Sequence, residues 1–217
     1  MNSENPEEEK FDTKRGSGEV VESGTWEDRP VSLRHVRPED HQAVVDLIKA
    51  RWEERSDPKF GLPETTREEY KQKLSTFPKK EMEPFEKTFS DPKAPLFILM
   101  TVGDNAVGYI ELGVWQDRDQ ENGFTEPAIW IGTISLLSDY QGTKFQKQES
   151  EEKTLFSQEL LECGISEARK EVLARNCKKV RLSAWMPRAI AFWKKEHFQE
   201  VGKTKTGSLI FEKDLEE

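Results

Sequence analysis

Apolar and polar positions begin to alternate at Val31. Val31, Leu33 and His35 alternate with Ser32, Arg34 and Val36, the two-residue period of a half-buried strand, and Pro38 ends it. Asp40 follows where a helix N-cap belongs, and Val44, Val45, Leu47, Ile48 and Trp52 then recur with helical spacing. The pattern weakens over 55–92, a polar stretch interrupted by Pro58, Pro63, Pro78, Pro84 and Pro92. It predicts a short helix at 66–74, a weaker one near 84–89, and a role as a cover over the core. The stretches 96–102, 106–115 and 128–137 read as three consecutive strands, the first two joined by the tight turn Gly103-Asp104-Asn105. Residues 116–127 form a polar excursion between the second and third.

Helical periodicity returns between 149 and 174, where Phe156, Leu160, Leu161, Ile165, Ala168 and Val172 form one stripe. A strand at 179–184, a helix at 187–195 with Pro187 in its first turn, and a final strand at 208–212 complete the pattern. The order β-α-(α)-β-β-β-α-β-α-β-β predicts an α/β (α+β) fold. Its sheet is mixed but mostly antiparallel, with about six to seven strands flanked by helices.

Composition changes this picture at one end. Lys+Arg number 33 against 42 Asp+Glu, for a net charge of −9. Residues 1–30 hold nine of the acids and four of the bases, and few apolar residues. We expect an acidic disordered tail at 1–30 and a single domain at 31–217. A chain with 12 Phe, 6 Trp and 3 Tyr nevertheless has a core to build.

The same composition excludes classes of function. No basic excess supports nucleic-acid binding. The longest purely apolar run, residues 96–100, is far below the roughly 20 residues that span a bilayer, so no membrane is expected. The acidic N-terminus has no apolar signal region, and only Cys163 and Cys177 occur, so a reducing, cytoplasmic location is expected. His35, His41 and His197 are scattered, and two distant cysteines cannot build a zinc spacing, so no metal site is expected. Trp115, Trp130 and Phe124 flank the polar excursion; an aromatic wall for an acceptor and ordinary packing are both open readings.

Three segments carry a resemblance: Leu33-Arg34-His35-Val36-Arg37-Pro38-Glu39-Asp40, Leu136-Leu137-Ser138-Asp139-Tyr140-Gln141-Gly142, and the run from Pro187 to Phe198 (PRAIAFWKKEHF). In order and spacing, residues 31–212 resemble the GNAT superfamily of acyl-CoA-dependent N-acetyltransferases. The resemblance implies direct transfer of an acetyl group from acetyl-CoA to the amine of a small molecule, by a monomer or homodimer. It implies that the cofactor's pantetheine arm pairs with backbone near Ile134 and Leu136. Its pyrophosphate would lie on the loop Gln141, Gly142, Thr143 and Lys144, with Phe192 and Trp193 beside it. Glu111 is the best-placed carboxylate for a catalytic base.

The chain departs from the family pattern at several positions. Lys144 and Gln146 stand where the pyrophosphate loop has glycines, and residues 146–153 look like an insertion carrying Glu149, Glu151 and Glu152. Lys144, Lys147 and Lys153 are the expected compensating charges. Trp193 replaces a tyrosine that can act as an acid, and an indole N–H cannot. Met186 and His197 replace the motif's Asn and Gly. The alternative implied by these departures is a GNAT-like protein without acetyl transfer, acting as a binding or regulatory module or reusing the cleft for other small-molecule chemistry.

Overall fold

The computed structural model describes residues 14–77, 79–148, 150 and 153–215. The chain opens with β1 (Val20–Trp26) and β2 (Arg29–His35), then α1 (His41–Ser56), α2 (Glu64–Thr76) and α3 (Glu83–Lys87). The meander β3 (Leu96–Val102), β4 (Asn105–Val114) and β5 (Ile129–Leu136) follows, with α4 (Gln116–Glu121) between the last two. Next come β6 (Lys144–Lys147), β7 (Lys153–Leu155) and α5 (Phe156–Lys170). The chain ends with β8 (Lys179–Ala184), α6 (Pro187–Lys195), β9 (Gln199–Lys203) and β10 (Leu209–Asp214).

All strands join one ten-stranded sheet in the order β7-β6-β1-β2-β3-β4-β5-β8-β10-β9. Every described pairing is antiparallel except that of β5 with β8. The expected mixed sheet is present, with ten strands rather than six or seven. One extra strand is β1, which lies inside the stretch expected to be a disordered tail. It pairs with β2 along its length, and Arg15 just before it binds Glu171 at 2.9 Å and the Ala94 carbonyl at 2.8 Å. The other two are β6, just before the stretch whose periodicity predicted a long helix, and β7, within its start; α5 begins only at Phe156. Glu149, Glu151 and Glu152 lie outside the described residues, as do 1–13 of the tail.

The core has two layers, one on each face of the sheet. Alternation along β4 sends Ile110 and Leu112 to the α5 face and Tyr109 to the α1 face. On the α5 face, Phe156, Leu160 and Leu161 pack on Ile98, Ile110 and Ile129. On the other, Val44, Ile48 and Trp52 of α1 meet Met82 and Phe85, so the polar stretch 55–92 does cover a core, and it contributes these two side chains to it. Asp40 does not cap α1 through its side chain. Its carboxylate accepts a bidentate pair from Arg34 at 2.6 and 2.7 Å and the Arg37 backbone N–H at 2.7 Å, fixing the turn before the helix. His197 adopts φ +65°, the left-handed conformation that closes α6 and that glycine holds most easily.

Candidate active site

The site begins where two parallel strands part. β5 pairs with β8 only over Ile129–Ile131 against Val180–Leu182. Beyond that point β5 stays with β4 as far as Leu136, and β8 stays with β10 as far as Ala184. A bulge accompanies the parting: Leu112 faces Ile131 and Glu111 faces Thr133, leaving Gly132 unmatched. A bulge bends its strand and increases the local twist, which turns the end of β5 away from β8.

Below the parting the strands are locked. Asp119 on α4 is 3% exposed and accepts the Trp130 indole N–H at 2.8 Å and Arg181 Nη1 of β8 at 2.7 Å. Arg181 also binds Glu212 at 2.8 Å and the Glu126 carbonyl at 2.8 Å. Arg118 lies 4.3 Å over the Trp130 ring and donates to the Ser183 hydroxyl at 2.9 Å. Trp130 is therefore a packed residue beneath α4 and not part of an acceptor wall. The Trp115 indole lies over Gly113 and Gly132, where any Cβ would meet it at 2.9 Å.

Above the parting is a cleft of about 320 Å³. Ile134, Ser135 and Leu136 form its strand wall, and Gln141 and Gly142 one end. Leu155 and Ser157 at the start of α5 also reach it. Met186, Arg188, Phe192, Trp193 and Lys195 form the α6 side, and Arg51, Glu54, Arg55 and Phe60 the α1 side. Gln141 ties two walls together, donating to the Leu136 carbonyl at 2.9 Å and accepting from Arg188 at 2.7 Å. Gly142 has φ +76°, a conformation open to glycine at little cost. The Leu155 side chain caps no amide of α5, so the first-turn N–H groups after Phe156, whose own N–H binds the Thr143 carbonyl at 3.1 Å, remain an anion-binding end.

Ile134, Leu136, Gln141, Gly142, Phe192 and Trp193 thus meet in one cleft. Thr143 and Lys144 do not line it. Thr143 is used in the turn, where its hydroxyl donates to the Asp139 carbonyl at 3.2 Å, and Lys144 is exposed at the start of β6 as the chain leaves the cleft. Lys147 is likewise engaged, holding Glu159 at 2.9 Å and Glu22 at 3.3 Å. Trp193 is buried against Phe192 and Phe198.

Glu111 lines an adjoining cavity of about 130 Å³ with Arg51, Lys80, Glu81, Tyr109 and Thr133. The two spaces share Arg51, and neighbouring residues of β5 face one each, Thr133 the cavity and Ile134 the cleft. Burial pushes the Glu111 carboxyl above the usual carboxylate range, against the opposing pull of the Thr133 hydroxyl, Arg51 and Arg118. Burial likewise lowers the pKa of Arg118 and raises that of Tyr109. Sequence reasoning missed Arg51. The signal was a cation on the apolar face of α1, at helical spacing from Val44 and Ile48. Among the described residues no group of three or more His, Cys, Asp or Glu is placed to hold a metal ion, and no helix is long and apolar enough to cross a membrane.

The architecture has solved counterparts. The PaiA N-acetyltransferase from Thermoplasma acidophilum, crystallised with coenzyme A, superimposes with a TM-score of 0.57 over 85% of this chain and 99% of that one, at 16% identity. An acetyltransferase from Thermus thermophilus does so at 0.50 over 85% and 97%, also at 16% identity. One from Streptococcus agalactiae matches at 0.50 over 88% and 100%, at 13% identity. The fold is the GNAT fold. No protein-family model matches the sequence, and no curated relative does. Within the GNAT fold, the parting of β5 and β8 is the feature around which the residues above are arranged.

Proposed function

We propose that the chain is an acyl-CoA-dependent N-acetyltransferase acting on the amine of a small molecule. The observation that carries this reading is the parting of β5 from β8, which opens the cleft and frees the edge of β5 from Ile134 to Leu136. The cleft suits acetyl-CoA. The freed edge offers backbone groups to an extended amide chain, while Gly142, the α5 amides, Arg188 and Lys195 suit phosphates. The PaiA enzyme's coenzyme A complex supports the same ligand class.

Acetyl-CoA supplies an acyl thioester: the acceptor nitrogen bonds to the carbonyl carbon, the C–S bond breaks, and the products are an amide and a free thiol. Glu111 takes the proton that the nitrogen loses, and its raised pKa makes it a stronger base than an exposed carboxylate. The Trp193 indole cannot serve as the acid, so the departing thiolate takes its proton from solvent. Holding the two reactants together supplies much of the rate in such a transfer. A cytoplasmic location and a monomeric or homodimeric state belong to the same proposal, in keeping with two free buried cysteines.

The test is a thermal-shift titration with acetyl-CoA, followed by detection of free thiol with an amine panel. A ligand at 100 times its Kd stabilises by about 2.7 kcal/mol, a rise of roughly 5–11 °C for a chain of this size. No shift at millimolar acetyl-CoA refutes the reading.

A further inference from the structure

We infer that the acceptor is a small amino acid, bound as its zwitterion, with its carboxylate on Arg51 and its nitrogen turned towards Glu111. The inference rests on the acetyl-transfer reading and adds the substrate class. Its starting point is an unspent donor. Arg51 Nε is buried without a hydrogen-bond partner. The neighbouring arginines are committed: Arg55 donates to the Tyr70 hydroxyl at 3.1 Å, Arg118 to Ser183 at 2.9 Å. A buried guanidinium N–H left unpaired is costly, and a planar carboxylate is the group that its donor fork fits best.

Position and charge point the same way. Arg51 lines both the cleft and the Glu111 cavity, so a group bound there stands between the proposed thioester site and the proposed base. The charged residues of the cavity are Arg51, Lys80, Glu81 and Glu111, two of each sign. A balanced set suits a ligand carrying both charges. A simple ammonium would leave Arg51 unanswered, and a dianion would crowd Glu81 and Glu111. The cavity's volume of about 130 Å³ accommodates a compact amine-and-carboxylate head group.

The arrangement also couples binding to proton transfer. Arg51 opposes the upward push of burial on Glu111. An acceptor carboxylate that answers the Arg51 charge relieves this opposition, while the ammonium beside Glu111 pulls the other way until its proton is given up. The bound ammonium first gives one proton to solvent, which frees its lone pair; as the nitrogen bonds to the carbonyl carbon and the C–S bond breaks, its second proton moves to Glu111 and the departing thiolate takes one from solvent.

The experiment uses the full chain. Binding of glycine, L-alanine and L-serine is measured by calorimetry with CoA present, so that no turnover occurs, beside the matched amines methylamine, ethylamine and ethanolamine. Acetyl-CoA thermal shifts are recorded in parallel. The amino acids are expected to bind at least tenfold more tightly than their decarboxylated counterparts. Arg51→Met is expected to erase that difference, and Arg51→Lys, which keeps the charge without the fork, to retain part of it. The inference is overturned if the amines bind as well as the amino acids, or if Arg51→Met leaves amino-acid affinity intact. Either result leaves the transferase reading standing when acetyl-CoA still stabilises the protein. Loss of the acetyl-CoA shift in the unmutated chain overturns that reading, and the inference with it.

Discussion

Asp119→Ala tests the lock beneath the cleft. The Asp119 carboxylate is about as buried as any charge in the described residues, its side chain 4% exposed and that of its partner Arg181 3%. Removing one member of a buried pair costs about 3–5 kcal/mol, because the other charge stays in the interior. Here Glu212 still reaches Arg181 at 2.8 Å, which favours the lower end. The Trp130 indole N–H and the Ala128 amide also lose their acceptor, and each orphaned donor costs about 1–3 kcal/mol. A total of at least about 5 kcal/mol is expected, a large fraction of the roughly 5–15 kcal/mol that holds a typical domain folded. That corresponds to a fall in Tm of at least roughly 10–20 °C. Asp119→Asn keeps an acceptor for Trp130 and should lose about half as much. Urea unfolding followed by tryptophan fluorescence measures both. A loss below about 1 kcal/mol, the value of an exposed pair such as Lys71–Glu68, would show that the seam is not a buried lock. Because α4 also carries Arg118 to Trp130 and Ser183, the same variant should bind acetyl-CoA more weakly in calorimetry at a temperature where it remains folded.

Three further substitutions have defined outcomes. Glu111→Gln should lower the transfer rate by about 10²–10⁴. It should also stabilise the fold at pH 8 and not at pH 4. The folded carboxyl has a raised pKa, so its stabilising contribution is complete below the unfolded value and lost as pH rises through the folded one, a loss that a permanently neutral side chain avoids. An unchanged rate rules Glu111 out as the base, and an unchanged stability difference across that pH range contradicts its burial. His197→Gly should gain about 0.5–1 kcal/mol by relieving the φ +65° conformation, seen as a small rise in Tm; a fall would mean that the imidazole makes contacts that outweigh the strain. Lys147→Ala should cost about 1.5–3 kcal/mol in urea unfolding, because it strips a charged hydrogen bond from Glu159, whose side chain is 5% exposed. Unchanged stability would mean that the hairpin merely rests on α5.

The central strands and the last helix were legible because their signals are local. β3 is a nearly unbroken apolar run, β4 and β5 are long stretches rich in apolar and β-branched residues, and Pro187 marks the first turn of α6. β1 and β6 were not legible, because only Gly24 of β1 and Phe145 of β6 are buried. Their pairing depends on contacts distant in sequence. Gly24 lets the Gln146 carbonyl approach to 2.2 Å of where a Cβ would stand, and Phe145 packs on Phe156 with tilted rings whose centroids are 4.9 Å apart. Asp119 was hidden for the same reason, inside a run of polar residues, since its partner Arg181 is 62 positions away. In the site, backbone-forming residues such as Ile134 and Gln141 fell within segments whose order could be read. The purpose of Arg51 could not be read without the second wall that it faces.

The insertion after Gly142 decides whether the cleft can be used at all. A segment of that length folded across the opening between β5 and β8 would exclude an extended cofactor. The hairpin instead leaves on the opposite side. β6 joins β1 through Gly24–Lys147 and Thr25–Gln146, at the edge of the sheet remote from β8. The chain returns through β7 to start α5 beside Thr143, so the helix end still faces the cleft although the usual glycines are gone. Lys147 travels with the hairpin and answers Glu159, a carboxylate in the first turn of α5 that would otherwise oppose a phosphate there. The hairpin therefore answers the Glu159 carboxylate and leaves the cleft open. The phosphate contacts proposed above fall to Gly142, the α5 amides, Arg188 and Lys195, so Arg188→Ala and Lys195→Ala should each reduce the acetyl-CoA thermal shift, and an unchanged shift in both would refute that assignment.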